Sequence, residues 1–259
     1  MTLPGRALSN DYDPAMLHVI PPPDDHASFL AQHGFSAVAD AVPTDLAVAA
    51  GDDLLQLHHE VWGSGKSSVT ERREERHLAW RLDEAPDSVV ALLAQESLHR
   101  IVFEGYGRDD VRFATWVIFY RPPGEPGTFW HADAGYIPLT GPILQYWLPI
   151  IASPTQQGLL YRSRQTGDAE TYTFSGMTPG ALSYHDVNAE HAGQTYDSLT
   201  LALSFITYLD GARLESDDRP LFTDGRERYR LRIFPDRAYG AVAANAVSPL
   251  LSDIAAPAH

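Results

Sequence analysis

Trp130-His131-Ala132-Asp133-Ala134-Gly135-Tyr136-Ile137-Pro138-Leu139 is the stretch around which the rest of the chain reads. His131 and Asp133 stand two apart, and on an extended backbone residues i and i+2 project to the same face. An imidazole and a carboxylate side by side can hold one metal ion. One more His from elsewhere would complete two imidazoles and a carboxylate on one face of a metal. That set suits non-haem Fe(II) and leaves positions open for oxygen and a cosubstrate. Short His/Asp pairs arise often by chance, so the surroundings decide the reading.

Downstream of this stretch the sequence has β character. After Gly107, helical spacing gives way to short β-type runs punctuated by Gly and Pro. Strands are expected over 113–120, 128–132, 143–148, 158–162, 170–174, 181–184 and 199–208. This rhythm argues for a sandwich or barrel. The last run alternates clearly: Leu199, Leu201, Leu203 and Phe205 on one face, Thr200, Ala202, Ser204 and Ile206 on the other. A small, partly polar face suits a wall that leaves room inside.

Upstream the pattern is helical. Asp25 can cap a short helix that stops at Gly34. A strand is expected over 35–42, and Pro43 and Thr44 then start a helix with Leu46, Ala50, Leu54, Leu57 and Val61 along one stripe. Gly63 and Gly65 end it. The polar segment 64–78 reads as a solvated loop or, alternatively, as a lid over a site. A further helix is expected over 88–102. Residues 1–24, rich in Pro and Asp, read as an extended or flexible arm. The expected organisation is one domain over 25–259, with a helical part (25–106), a β core (107–210) and a C-terminal extension (211–259).

Composition bounds the partners. The chain has 259 residues, 34 acidic against 19 basic, a net charge of −15 and a single lysine, Lys66. Phosphate-binding surfaces need clustered Lys and Arg, so nucleic acid and anionic membrane are not expected partners. Cysteine is absent, which excludes disulfides and thiolate metal sites. Residues 1–13 show no apolar run of the secretory kind and no stretch of about 18 apolar residues occurs, so a cytoplasmic location is the default expectation.

The Trp-His-x-Asp-x-Gly-Tyr-x-Pro-Leu pattern, followed by Leu144-Gln145-Tyr146-Trp147-Leu148-Pro149, resembles the core of the phytanoyl-CoA dioxygenase-like oxygenases. Pro179-Gly180-Ala181-Leu182-Ser183-Tyr184, then His191-Ala192-Gly193, resembles the segment of that family that carries its distal iron-binding His. The resemblance covers roughly residues 25–210 and implies a double-stranded β-helix, a jelly-roll or cupin-like barrel, mainly β with flanking helices. It implies Fe(II), 2-oxoglutarate as cosubstrate, O2, and a small-molecule substrate that is hydroxylated or otherwise oxidised. Halogenases resembling this family carry a small residue where Asp133 stands, so hydroxylation or a related oxidation is the better expectation.

The candidate metal ligands are His131, Asp133 and a third His. His191 stands eleven residues after Gly180, as in the family; His185, beside Asp186, is the alternative and would otherwise face the substrate or support a ligand. Trp130 and Tyr136 flank the pair and are expected to shape the substrate pocket. Gln145 and Trp147 share a strand face and are candidates to line the cosubstrate site. One departure stands out. Many relatives carry an Arg eleven residues beyond the distal His that binds the far carboxylate of 2-oxoglutarate; here that position is Ala202. Arg121 and Arg162, beside expected strands, are the candidate replacements, with Thr200 and Ser204 as hydroxyl donors. A jelly-roll metalloenzyme that does not use 2-oxoglutarate, and a metal-free small-molecule binding protein, stay open as alternatives.

Overall fold

The structure, a computed structural model, describes residues 14–63, 79–80, 85–135, 139–166, 170–209 and 213–214. A short 3-10 turn at Pro14–Met16 leads into β1 (Leu17–Ile20), α1 (His26–His33), β2 (Phe35–Val38) and α2 (Thr44–Trp62). Then come β3 (Ala79–Trp80), α3 (Asp87–Leu93), α4 (Glu96–Tyr106), β4 (Val111–Arg121), a second 3-10 turn at Asp133–Gly135, β5 (Leu139–Thr140) and β6 (Ile143–Ile151). The chain continues through β7 (Leu160–Arg162), β8 (Thr171–Phe174), β9 (Leu182–Asp186), β10 (His191–Ala192), β11 (Thr200–Leu209) and β12 (Arg213–Leu214).

The helix signals act as their chemistry requires. The Asp25 carboxylate accepts from the Ser28 N–H at 3.0 Å, and Gly34 closes α1 in the left-handed region with its N–H on the Leu30 carbonyl. α2 starts after Pro43 and stops at Gly63. The helix expected over 88–102 is instead two, α3 and α4, separated at an extended Gln95. The reason lies in the apolar phase. Val89, Leu92 and Leu93 are buried on α3, and continuing that stripe would turn Glu96 and Arg100 inward. The break resets the phase, so that Leu98, Ile101 and Val102 face the core and Glu96 and Arg100 pair in solvent.

The strands form a large sheet, β2-β9-β6-β11-β4-β3, a small sheet, β1-β8-β7-β10, and a β12-β5 pair. Along the core the chain moves repeatedly between the sheets: β4 and β6 lie in the large one, β7 and β8 in the small, β9 in the large, β10 in the small, β11 in the large. This is the jelly-roll connectivity. The sheets face each other as a sandwich and are not one closed barrel. Phe35, Trp147 and Ala202 of the large sheet meet Tyr161 and Phe174 of the small one. On β11, Leu201, Leu203 and Phe205 pack instead with the helices against the outer face. The alternation read from the sequence thus separates two cores, with Ala202 on the inner side.

Three expectations need correction. Residues 17–20, expected in an extended or flexible arm, form β1 and pair in parallel with β8. The strand expected over 35–42 stops at Val38, and β2 extends the large sheet beside β9, so the helical part contributes to the sheet. The strand expected over 128–132 does not form; His131 alone makes a bridge there. The segment leading to it, Pro122-Pro123-Gly124-Glu125-Pro126-Gly127, has three residues without an N–H. The segment 64–78 and most of the C-terminal extension lie outside the described residues. No helix among the described residues is long and apolar enough to cross a membrane.

Gly180 ties the helical part to β9. Its carbonyl accepts the N–H groups of Ala41 and Val42 at 2.9 and 3.1 Å, its φ is +102°, and a Cβ would lie 2.8 Å from the Val42 carbonyl oxygen. Gly180→Ala should lower stability by more than the about 1–3 kcal/mol of backbone strain alone. Gly124→Ala, at φ +73° with open space around it, should cost only the strain. Urea unfolding of both variants checks this; equal losses would remove the clash from the account.

Candidate metal centre

His131 and His191 are joined by their backbones. The His131 N–H donates to the His191 carbonyl at 3.0 Å, and the His191 N–H returns a bond to the His131 carbonyl at 2.9 Å. Residues directly opposite on antiparallel backbones put their side chains on the same face, and the two ring centroids are 4.3 Å apart. Asp133 opens the 3-10 turn just beyond and is anchored next door by the Ala134 N–H on the Val187 carbonyl at 2.9 Å. Its Oδ1 lies 3.5 Å from His131 Nε2 and its Oδ2 3.5 Å from His191 Nε2. His131, Asp133 and His191 each offer a ligand atom, and all three atoms lie within 4.8 Å of one another. The sequence spacing of the first pair therefore carries through, although the strand assumed for it does not.

The protonation pattern suits a metal. His131 Nδ1 donates to the Phe129 carbonyl at 2.8 Å and His191 Nδ1 to the Ala189 carbonyl at 3.2 Å. A carbonyl only accepts, so Nδ1 carries the proton and Nε2 keeps its lone pair. Burial and the neighbouring His185 push His191 down to about 4, with Asp133 offsetting part of this, so its imidazole is neutral at neutral pH. Burial works to raise Asp133, but His191, His185 and His131 together outweigh it and hold the carboxyl well below the usual range. One ionised carboxylate and two nitrogen lone pairs on one side fit a divalent cation with two His and one carboxylate as ligands.

His185, the alternative third ligand, lies on β9 with no exposed surface. Its Nε2 is 3.2 Å from Asp133 Oδ2, but it stands outside the compact three-residue set. Gln145 is opposite His185 in the β6–β9 register, and Trp147, two residues on, faces the inter-sheet core between Ser204 and Ser183. Ser204 and Thr200 are buried, and the Thr200 hydroxyl donates to Gln156 Oε1 at 2.9 Å.

The two arginines part company. Arg121 ends β4, is buried, and pairs with Thr200 of β11. It follows Phe119, which is opposite Ala202, by two residues. Arg121 is therefore on the inner face, one strand over and one pleat along from the position where Ala202 stands. Its Nη2 donates to the Glu125 and Pro126 carbonyls and its Nε lies 3.8 Å from the Glu125 carboxylate. Nη1 passes Gly193, where a Cβ would come within 3.2 Å of it. Arg162, by contrast, alternates with the inward Tyr161 and points away from the core. Its Nη1 donates to Glu190 Oε2 at 2.9 Å and its Cζ lies 4.2 Å over the Trp130 ring. Trp130 and Glu190 immediately precede His131 and His191 and take the opposite face. The structure thus pairs with each other the two residues expected as a pocket wall and as a carboxylate anchor, Trp130 and Arg162. Tyr136 lies outside the described residues.

Sequence reasoning missed Glu125, Gln156, Tyr196 and Phe129. Glu125 Oε2, Gln156 Nε2 and the Tyr196 hydroxyl are buried without hydrogen-bond partners among the described residues. Glu125 sits in a Pro/Gly-rich turn, a composition that signals solvent exposure, so nothing in it announced a buried acid. Phe129 is 42% exposed, with its ring 5.5 Å from that of His131.

No protein-family model matches the chain. No curated protein matches it either. Solved structures do match. The non-heme alpha-ketoglutarate-dependent epimerase SnoN from nogalamycin biosynthesis aligns with a TM-score of 0.58 at 15% identity, over 82% of this chain and 95% of its own. The nickel complex of the non-heme monooxygenase ThoJ gives 0.58 at 15%, over 85% and 93%. EctD from S. alaskensis, solved with 2-oxoglutarate and 5-hydroxyectoine, gives 0.57 at 15%, over 90% of each chain. Likeness at this identity is likeness of fold: the chain has the jelly-roll architecture of these proteins over most of its length.

Proposed function

We propose that the protein is a mononuclear non-haem Fe(II)- and 2-oxoglutarate-dependent oxygenase, of the phytanoyl-CoA dioxygenase-like kind, that hydroxylates or otherwise oxidises a small organic molecule. One observation carries this reading: two imidazoles, each with Nδ1 tied to a carbonyl and Nε2 turned toward the same carboxylate, converge inside a jelly roll. The same-fold structures of an alpha-ketoglutarate-dependent epimerase and of a protein bound to 2-oxoglutarate support it. His131, Asp133 and His191 would hold the iron. Held by these residues, iron would supply, with 2-oxoglutarate and O2, the oxidising chemistry for attack on a substrate C–H bond.

The remaining roles fall to residues of this chain. Arg121 takes the far carboxylate of 2-oxoglutarate, because a buried guanidinium offers the fork that matches it. Thr200 and Ser204 add hydroxyls on the same inner face, and Gln145 and Trp147 line the space beside them. Asp133 and His191 are buried, which limits the access of water to the reacting centre. A competing reading, a jelly-roll metalloenzyme that does not use 2-oxoglutarate, draws on one fact: Arg121 already faces Glu125 at 3.8 Å.

Anaerobic titration with Fe(II) and then 2-oxoglutarate should develop a metal-to-ligand charge-transfer band, and turnover should release succinate. No 2-oxoglutarate binding to the iron-loaded protein at millimolar concentration would promote the competing reading. Arg121→Gln, alone and with Glu125→Gln, should raise the Kd for 2-oxoglutarate about 100-fold to 1000-fold, from the about 3–5 kcal/mol that a broken buried charge pair costs. Fe(II) affinity should hardly change. Calorimetry on both variants checks it, and wild-type affinity for 2-oxoglutarate in either would remove Arg121 from the site.

Acid should act on the metal-stripped protein through His191. In the unfolded chain an imidazole takes its proton near 6.5, in the folded protein only near 4. Between these values the unfolded state binds more protons, so stability falls as pH drops through the window, by about 3 kcal/mol. Urea midpoints at pH 7 and pH 4.5 in wild type and His191→Gln measure it. An equal loss in both would show that another group is responsible.

A further inference from the structure

His185 is buried beside the ligands, yet it belongs to no ligand set. Its ring is 4.2 Å from that of His191 and 5.6 Å from that of Tyr161. Its backbone is fixed from both sides, with Phe35 of β2 and Gln145 of β6 as its partners in the large sheet. Its Nε2 lies 3.2 Å from Asp133 Oδ2, while its Nδ1 is buried without a partner among the described residues. An ionised carboxylate only accepts, so Nε2 carries the proton and Nδ1 is bare. The opposite tautomer would set two lone pairs against each other across a buried contact.

The three ligands are not held alike. His131 and His191 are oriented by their own carbonyl hydrogen bonds and by the backbone bridge between them. Asp133 sits on a 3-10 turn outside any strand. Among the described residues, the one hydrogen bond that its carboxylate receives is from His185. A carboxylate free to rotate about its Cβ–Cγ bond would present its oxygens in varying directions.

We propose that His185 is a positioning residue: its Nε2–H holds Asp133 Oδ2 and so sets the carboxylate plane against the imidazoles of His131 and His191. The large sheet, through His185, then supplies the support that the small sheet's edge does not give Asp133. This rests on the metal role proposed above for the three residues. Partners that orient a metal ligand in this way typically contribute 10–100-fold in metal affinity.

The test is titration of the metal-stripped full chain with Co(II), read by its visible absorption bands and by calorimetry, with no cosubstrate present. His185→Leu fills the space but donates nothing. It should bind one Co(II) about 10–100-fold more weakly, with altered bands. His185→Gln, whose amide nitrogen reaches near the Nε2 position, should restore wild-type affinity and bands. His185→Asn, whose shorter amide reaches near Nδ1, should not. The Gln/Asn contrast carries the test even if the Leu variant fails to fold. His191→Gln, a lost ligand, should bind Co(II) far more weakly than any of them. Wild-type affinity in His185→Leu or His185→Asn would overturn the inference while leaving the metal site intact. His185→Gln as damaged as His191→Gln would make His185 a ligand and overturn it too. Wild type that binds no Co(II) would overturn the metal reading and this inference together.

Discussion

Two backbone hydrogen bonds, exchanged between His131 and His191, bring together residues sixty apart in the chain. The strands on either side are minimal: β10 is two residues long, and the segment around His131 makes no strand at all. Regular pairing at this edge is not needed, because one antiparallel bridge is enough to set two side chains on a common face. The larger framework serves to bring the two segments to that meeting point. β10 hangs on β7 through His191 and Tyr161, and the long β11 between β4 and β6 fixes where the chain leaves the site.

Much of this was legible because local rules decided it. Asp25, Gly34 and Gly63 act as punctuation whatever surrounds them. The alternation along β11 reports two different environments, one against helices and one between sheets, and both exist. His131 and Asp133 converge as their spacing implies. What stayed hidden depends on partners distant in sequence. The break at Gln95 follows from which faces of α3 and α4 the core can accept. β1 has no strong β signal of its own and forms because β8 offers an edge. The direction taken by Arg162 was fixed by the register of β7, one residue from a Tyr that had to point inward.

Charge inside the molecule is arranged differently from charge outside. The chain as a whole carries −15, yet the interior pairs its few ionised groups closely. Arg121 meets Glu125, and Asp133 meets imidazoles. The inner face of β11 offers hydroxyls and a small side chain where bulk would block the space. Burying an isolated charge is costly, so each of these groups constrains its neighbours' identity more tightly than any apolar residue nearby.

The stack of Arg162 on Trp130, with its ion pair to Glu190, lies on the outer side of the small sheet. It grips the residues just before His131 and His191, and it does so without entering the interior. Bracing the His131–His191 bridge and lining the inner faces of the sheets are therefore tasks of different residues on different surfaces. Substitutions on the inner faces of the two sheets leave this outer brace untouched. A lineage built this way can vary its inner faces while keeping the two histidines side by side.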